Sequence, residues 1–231
     1  IPGAAGGPKG LILGPLDRWI FGKWLTSSSQ PIHLMGASIG AWRMASACLT
    51  HPVASLQQLE HDYIHQHYEI PAGQRRPSAA QVSQEFGQSL QAFYGARVAE
   101  ILHHPRYRLH VLTSAGRHIL RREGPWRTAL GYAGAYLANA GSRAWLGAWL
   151  QRVVFTAQPD HGLPFDPSDF PTQRVALTET NFMPALQASC SIPFVLQAVH
   201  DIPLAQPGAH WDGGITDYHL HLDYRSQSSL V

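Results

Sequence analysis

Ser38 is the residue of this chain best placed to act as a nucleophile. It sits at the centre of Gly36-Ala37-Ser38-Ile39-Gly40, after the apolar run Pro31-Ile32-His33-Leu34-Met35 and before Ala41-Trp42-Arg43-Met44-Ala45-Ser46-Ala47-Cys48-Leu49, which reads as a helix. A strand that turns abruptly into a helix holds the intervening serine in a cramped backbone conformation. Glycines two places either side remove the Cβ atoms that would clash. The hydroxyl is then presented at a helix N-terminus, where peptide dipoles favour an alkoxide or an oxyanion. A serine nucleophile also needs a base and a place for developing negative charge. Asp212-Gly213-Gly214, an aspartate leaving an apolar stretch into a glycine turn, offers one carboxylate. Ala5-Gly6-Gly7-Pro8-Lys9-Gly10 offers backbone amides at Gly7, Lys9 or Gly10 and the Lys9 charge, while Pro8 has no N–H to give. Taken singly, each glycine segment suits an ordinary turn equally well.

The elements that must position these groups follow from apolar spacing and from breakers. Residues 11 to 25 read as mostly helical despite Pro15, and the loop Thr26 to Gln30 feeds the strand before Ser38. Helical spacing covers Val53 to Tyr68, Pro71 to Pro77 breaks it, and a second helical region runs from about Ser78 to His104. Arg106 to Thr113 alternates as a strand with Leu109, Val111 and Thr113 on one face. Farther on, Trp145, Leu146, Trp149 and Leu150 fall on one side of a helix, either ordinary packing or a lid or lipid-contacting patch. Residues 158 to 173 form an irregular loop, a helix is expected near Phe182 to Ser189, and Gln206-Pro207-Gly208 turns the chain toward Asp212. The alternation of strand and helix around Ser38 predicts a three-layer α/β sandwich with a mostly parallel central sheet.

Length and composition set the outer bounds. A chain of 231 residues, 45% of them apolar, has enough material for one large core, and residues 1–231 are read as a single domain. With 17 basic and 15 acidic residues the net charge is +2, so no electrostatic footprint for nucleic acid is present. Charged residues make up only 14% of the chain, which leaves room for a peripheral membrane contact. Cys48 and Cys190 are too few for a disulfide framework and lack metal-ligand neighbours, and they read as small buried residues. The chain starts at Ile1 with no charged-then-apolar leader, so it is expected to be a piece of a longer protein, without a signal peptide in this segment and in a cytoplasmic or membrane-associated setting. Ala129 to Leu150 is apolar, but Asn139, Ser142, Arg143 and its glycines make it too polar for a membrane span.

In this order the three glycine-bearing segments resemble the patatin-like phospholipase family. The family pattern has a Gly-Gly-Gly-x-Lys/Arg-Gly oxyanion loop, then a Gly-x-Ser-x-Gly elbow, then an Asp-Gly-Gly or Asp-Gly-Ala motif. Ala188-Ser189-Cys190-Ser191-Ile192-Pro193-Phe194-Val195 resembles the family's approach to its aspartate. The likeness covers residues 5 to 50 and 184 to 215. It implies a Ser-Asp dyad with Ser38 as nucleophile and Asp212 as general base, and an oxyanion loop formed by Gly6, Gly7, Lys9 and Gly10. Gly36, Gly40, Gly213 and Gly214 are the motif glycines. The substrate implied is a lipid acyl ester, with no cofactor and no metal. This chain departs from the pattern at Ala5, which replaces the first glycine, and at Pro8. Few residues precede the loop to make the strand that leads into it, and Asp217-Tyr218-His219-Leu220 stands where the family commonly has an Asn-x-Pro ending.

Three other readings compete. The chain has 14 histidines, so a Ser-His-Asp α/β-hydrolase is open, with His219 or His221 closing the triad. His61 and His65 are one helical turn apart, a zinc-compatible spacing, but no third ligand is indicated. The third is a lipid-binding module that keeps the fold without turnover.

Overall fold

A central sheet is built from short apolar runs bounded by turns, and its two faces carry different covers. The computed structural model describes residues 1–70 and 73–225, so Pro71 and Ala72 of the expected breaker lie outside the described residues. Strand β1 (Pro2–Gly3) leads through a 3₁₀ turn (Gly7–Leu13) into helix α1 (Gly14–Trp19), which runs on into a wider turn over Ile20–Trp24. Pro15 is tolerated because it occupies the first turn of α1, where its missing N–H would have no helical partner. Strand β2 (Ile32–Ala37) and helix α2 (Ile39–Ala47) flank Ser38 as expected. Helices α3 (Pro52–Ile64), α4 (Ala79–Tyr94) and α5 (Val98–Leu102) follow, the last two separated by a 3₁₀ turn at Gly95–Arg97. After strand β3 (Tyr107–Gly116) come helices α6 (Pro125–Gly141) and α7 (Arg143–Leu146), then strands β4 (Leu150–Thr156) and β5 (Thr172–Ala176). Helix α8 (Glu179–Ser189), the hairpin of β6 (Val199–His200) and β7 (Ala209–Asp212), and the short α9 (Gly214–Asp217) complete the order.

The sheet is mixed. Strands β1, β2 and β3 are parallel, β4 and β5 are parallel, but β3 meets both β4 and β7 antiparallel, and β6 and β7 pair antiparallel. Strand-helix alternation predicts a mostly parallel sheet, whereas the pairing divides evenly between parallel and antiparallel. Two helices between β3 and β4 do not make the crossover that a parallel pair needs, because α6 and α7 pack at the end of β3 and return the chain beside it. Both faces of β3 are buried, so Leu109 and Val111 belong to the large core under α2, α4, α5 and α8, whereas Leu112 faces a second cluster with Met35, Val154, Phe165 and Leu222.

Trp145, Leu146, Trp149 and Leu150 do not share a helix side. Helix α7 ends at Leu146, the Trp149 carbonyl accepts a hydrogen bond from the Arg117 N–H at 2.8 Å, and Leu150 begins β4. Pairing with the end of β3 thus overrides helical spacing. On the second face, Arg152 in β4 is fully buried and donates to both carboxylate oxygens of Asp217, at 2.7 Å each, and to Asp169 at 2.8 Å. Arg143 reaches the same Asp217 at 2.9 Å. Removing one member of a buried pair strands the other charge without water, which costs about 3 kcal/mol or more. We expect Asp217→Ala to lower unfolding free energy in urea by about that amount, and Arg152→Met with Asp217→Leu together to recover part of it.

Candidate active site

Strand β3 brings the two candidate catalytic residues together. Along one of its edges β2 pairs as far as Ala37 opposite Leu112, and the next residue, Thr113, pairs with Asp212 at the end of β7. Strands β2 and β7 run in opposite directions along that edge, so their C-terminal ends meet head to head. Ser38 leaves one end and Asp212 closes the other.

The Ser38 backbone lies at φ 56°, ψ −133°, a conformation that costs a residue with a side chain on the order of 1–3 kcal/mol unless its surroundings enforce it. Here they do. The Ser38 N–H donates to Ser189 Oγ at 3.0 Å, and the Ser189 hydroxyl donates to the Leu112 carbonyl at 2.7 Å, so one side chain clasps the elbow to β3. Gly36 and Gly40 allow the turn to close: a Cβ on Gly36 would stand 2.2 Å from Ala41 Cα, and one on Gly40 would stand 1.7 Å from the Gly3 carbonyl oxygen. That second contact places β1 directly against α2, and Pro2–Gly3 supplies the leading strand for which the sequence seemed too short. Ala41 and Trp42 donate to the Ser38 carbonyl, leaving the Ile39 and Gly40 amides at the helix start without intrahelical partners.

Asp212 is buried, and its backbone is held on two sides. Its N–H donates to the Ser191 carbonyl at 3.0 Å and its carbonyl accepts from the Ser114 hydroxyl at 2.9 Å, while the Gly213 N–H donates to the Ser189 carbonyl at 3.2 Å. The segment 189–191 therefore holds both the elbow and the aspartate. A Cβ on Gly213 would lie 2.2 Å from the Leu112 carbonyl, and one on Gly214 would lie 2.6 Å from Ala5 Cβ, so both glycines are required by close packing. Asp212 Oδ1 accepts from the Gly214 N–H at 2.6 Å, and Oδ2 is buried with no hydrogen-bond partner among the described residues. The Ser38 hydroxyl lies near enough to stabilise the carboxylate without forming a full hydrogen bond to it. Burial pushes the Asp212 pKa up from 3.8 to about 6, against the opposing pull of the Ser38 hydroxyl and the Gly214 amide.

The glycine loop lies against both motifs. Ala5 donates to the Tyr218 carbonyl at 2.9 Å, and Gly10 packs on the Ile39 side chain so closely that a Cβ there would stand 2.7 Å from it. Gly6 and Gly7 have φ of 149° and 54°, which only glycine adopts without strain. The Lys9 amide closes the turn on the Gly6 carbonyl at 3.2 Å and its side chain is exposed, so of the expected donors Lys9 is already engaged. Gly7 opens the turn and keeps an amide outside its helical bonding.

No histidine nitrogen hydrogen-bonds to Ser38 or Asp212 among the described residues. His210 is buried between Thr113 Oγ1, 3.1 Å away, and the Gln206 carbonyl, His200 accepts from the Glu123 N–H, and His219 and His221 are exposed. His61 and His65 stack on one another, and the His65 ring turns back to the His61 carbonyl at 2.8 Å. Among the described residues no three His, Cys, Asp or Glu side chains cluster as metal ligands.

Sequence reading missed Ser189 and Tyr132. Ser189 sits in a stretch singled out for its resemblance, but only the structure gives its hydroxyl a task. Tyr132 packs its ring edge-on to Trp211 and buries a hydroxyl without a partner among the described residues; burial and then the Asp212 and Glu123 charges push its pKa up. A tyrosine among the small residues of α6 carries no such signal. Comparison with known proteins finds no family model, no curated protein and no solved structure that matches this chain.

The raised Asp212 pKa fixes the sign of a stability effect. The folded state binds the Asp212 proton more tightly than the unfolded chain does, so this group favours folding fully below about pH 4 and loses that contribution as pH rises through about 6. Each pKa unit corresponds to about 1.4 kcal/mol, so the loss is about 3 kcal/mol. Between pH 4 and pH 7, urea unfolding of the unmodified chain should therefore lose about 3 kcal/mol relative to Asp212→Asn, which has no such titration.

Proposed function

We propose that the chain is a serine hydrolase that cleaves acyl esters of lipids through a Ser38–Asp212 dyad, on a three-layer α/β sandwich of the patatin-like type. The observation that supports this most directly is the head-on meeting of β2 and β7 on one edge of β3, which sets a strained serine beside a buried aspartate, with no imidazole hydrogen-bonded to either among the described residues. Asp212 Oδ2, the carboxylate oxygen without a partner, takes the Ser38 proton as Ser38 Oγ attacks the ester carbonyl. The tetrahedral oxyanion faces the amides at the start of α2 and at Gly7, where each lost donor would cost about 3 kcal/mol of transition-state stabilisation. Asp212 returns the proton to the leaving alcohol. The same carboxylate then takes a proton from water as that water attacks the acyl-Ser38 carbonyl, and passes it to Ser38 Oγ as the acyl C–O bond breaks, releasing the fatty acid and restoring the free serine.

One observation favours a second reading, a lipid-binding module without turnover: the Lys9 amide is engaged within its own turn and Pro8 has none to give. Hydrolysis of a short-chain nitrophenyl ester decides between them. For the hydrolase, Ser38→Ala and Asp212→Ala each lower kcat by about a thousandfold or more in folded protein. Single replacements of His200, His210, His219 and His221 leave it within about threefold, because none of them carries the proton. Turnover lost equally in a histidine variant overturns the dyad in favour of a triad, and no turnover in the unmodified chain overturns the hydrolase. Since the base works only when ionised, kcat/KM should rise with pH through about 6 and then level.

A further inference from the structure

Helix α6 is apolar on two faces, and only one is covered by protein. Its buried face is narrow, made of Thr128, Gly131 and Ala135, and Gly131 lets it lie tightly on Leu120. The other face carries Trp126, Leu130, Ala133 and Leu137 at a spacing that keeps them on one stripe, with Tyr136 beside it. Trp126 is 80% exposed, Leu130 62% and Leu137 70%. A helix apolar all round normally lies inside a protein or against lipid. Among the described residues no helix is long and apolar enough to cross a membrane.

We infer that this face of α6 is a docking surface for an anionic lipid bilayer, on which the helix lies flat with its exposed apolar stripe in the boundary between headgroups and acyl chains. Trp and Tyr suit that boundary because each joins a large apolar ring to one polar group. The charge near the stripe is complementary to anionic headgroups: Arg127 is exposed in the first turn of the helix, Arg121 and Arg122 are exposed in the segment that leads into it, and none of the three has a carboxylate partner among the described residues. From Gly124 to Pro159 the sequence has no Asp or Glu. The covered side of the same helix reaches toward the candidate site. Tyr132, on the same helix, contacts Trp211 at 5.8 Å and Phe194 at 6.3 Å between ring centroids, and Phe194 and Val195 are exposed just after the 189–191 segment that holds Ser38 and Asp212. The inference deepens the lipid-ester reading by naming the surface on which such a substrate lies.

Cosedimentation with vesicles tests it, using the full chain as Ser38→Ala so that no lipid is consumed. Phosphatidylglycerol vesicles should bind this protein about tenfold or more tightly than phosphatidylcholine vesicles, with the difference narrowing in high salt. Adding Trp126→Ser, Leu130→Ser and Leu137→Ser should weaken binding by about tenfold or more while leaving the melting temperature unchanged, since all three side chains are exposed. Trp19→Ser with Trp24→Ser, at a separate exposed pair, should bind as the parent does. The inference is overturned if the α6 variant binds like its parent, if the Trp19 and Trp24 variant is the one that loses binding, or if the parent binds neither vesicle. A parent that is dimeric, with the α6 variant monomeric, overturns it in favour of a second copy on this face. Ester turnover plays no part in these outcomes, so failure of the hydrolase reading shows only in the nitrophenyl ester assay.

Discussion

The arrangement around Ser38 depends on a single edge of β3 serving two partners. A strand has one hydrogen-bonding row on each side, and β3 gives most of one row to β2 before handing the remainder to β7 at the junction of Leu112 and Thr113. Two chains arriving from opposite directions must both stop there, and neither can continue without running into the other. The elbow and the Asp-Gly-Gly turn are the two ways out. Residues 174 positions apart along the chain thus become neighbours through backbone pairing, and the side chains add only the final clasp from Ser189.

Burial then gives the carboxylate its character. A surface aspartate would be a weak base, ionised throughout the neutral range; at Asp212 the loss of water raises the proton affinity, and a single strong amide bond from Gly214 keeps the charge from being abandoned altogether. The unpartnered Oδ2 and the strained Ser38 backbone are both unfavourable for stability. Local unfavourable terms of this kind persist only where the frame is over-determined, and here the frame is tight. Gly3 packs on Gly40, Gly36 on Ala41, and Gly213 on Leu112, each at a distance no Cβ would allow.

What could be read from the sequence divides along physical lines. The Gly-x-Ser-x-Gly turn was legible because local sterics dictate it: the strand before it and the helix after it appear as expected, and the strand expected over Arg106 to Thr113 appears as Tyr107–Gly116, running three residues farther. The sheet's mixed direction was not legible, because pairing between distant strands leaves no mark on local spacing. Pro2–Gly3 escaped notice for a different reason, since two residues carry no period and act as a strand only once β2 lies beside them. The Trp145 to Leu150 stretch had a convincing helical spacing that pairing with β3 overrode. Arg152 is a buried anchor whose role shows only with Asp217 and Asp169 in place, because both partners lie far from it in pattern and come to it through the fold.

Arg143 has a consequence of its own. It projects from α7, immediately after α6, and its guanidinium grips both the Thr216 carbonyl and the Asp217 carboxylate in the short helix that follows Asp212. The outer helices are therefore tied to the acid's turn by directed hydrogen bonds as well as by packing. Linkage gives such a tie a reciprocal form: the free energy by which a shift of α7 changes proton binding at Asp212 equals the free energy by which that proton changes the placing of α7.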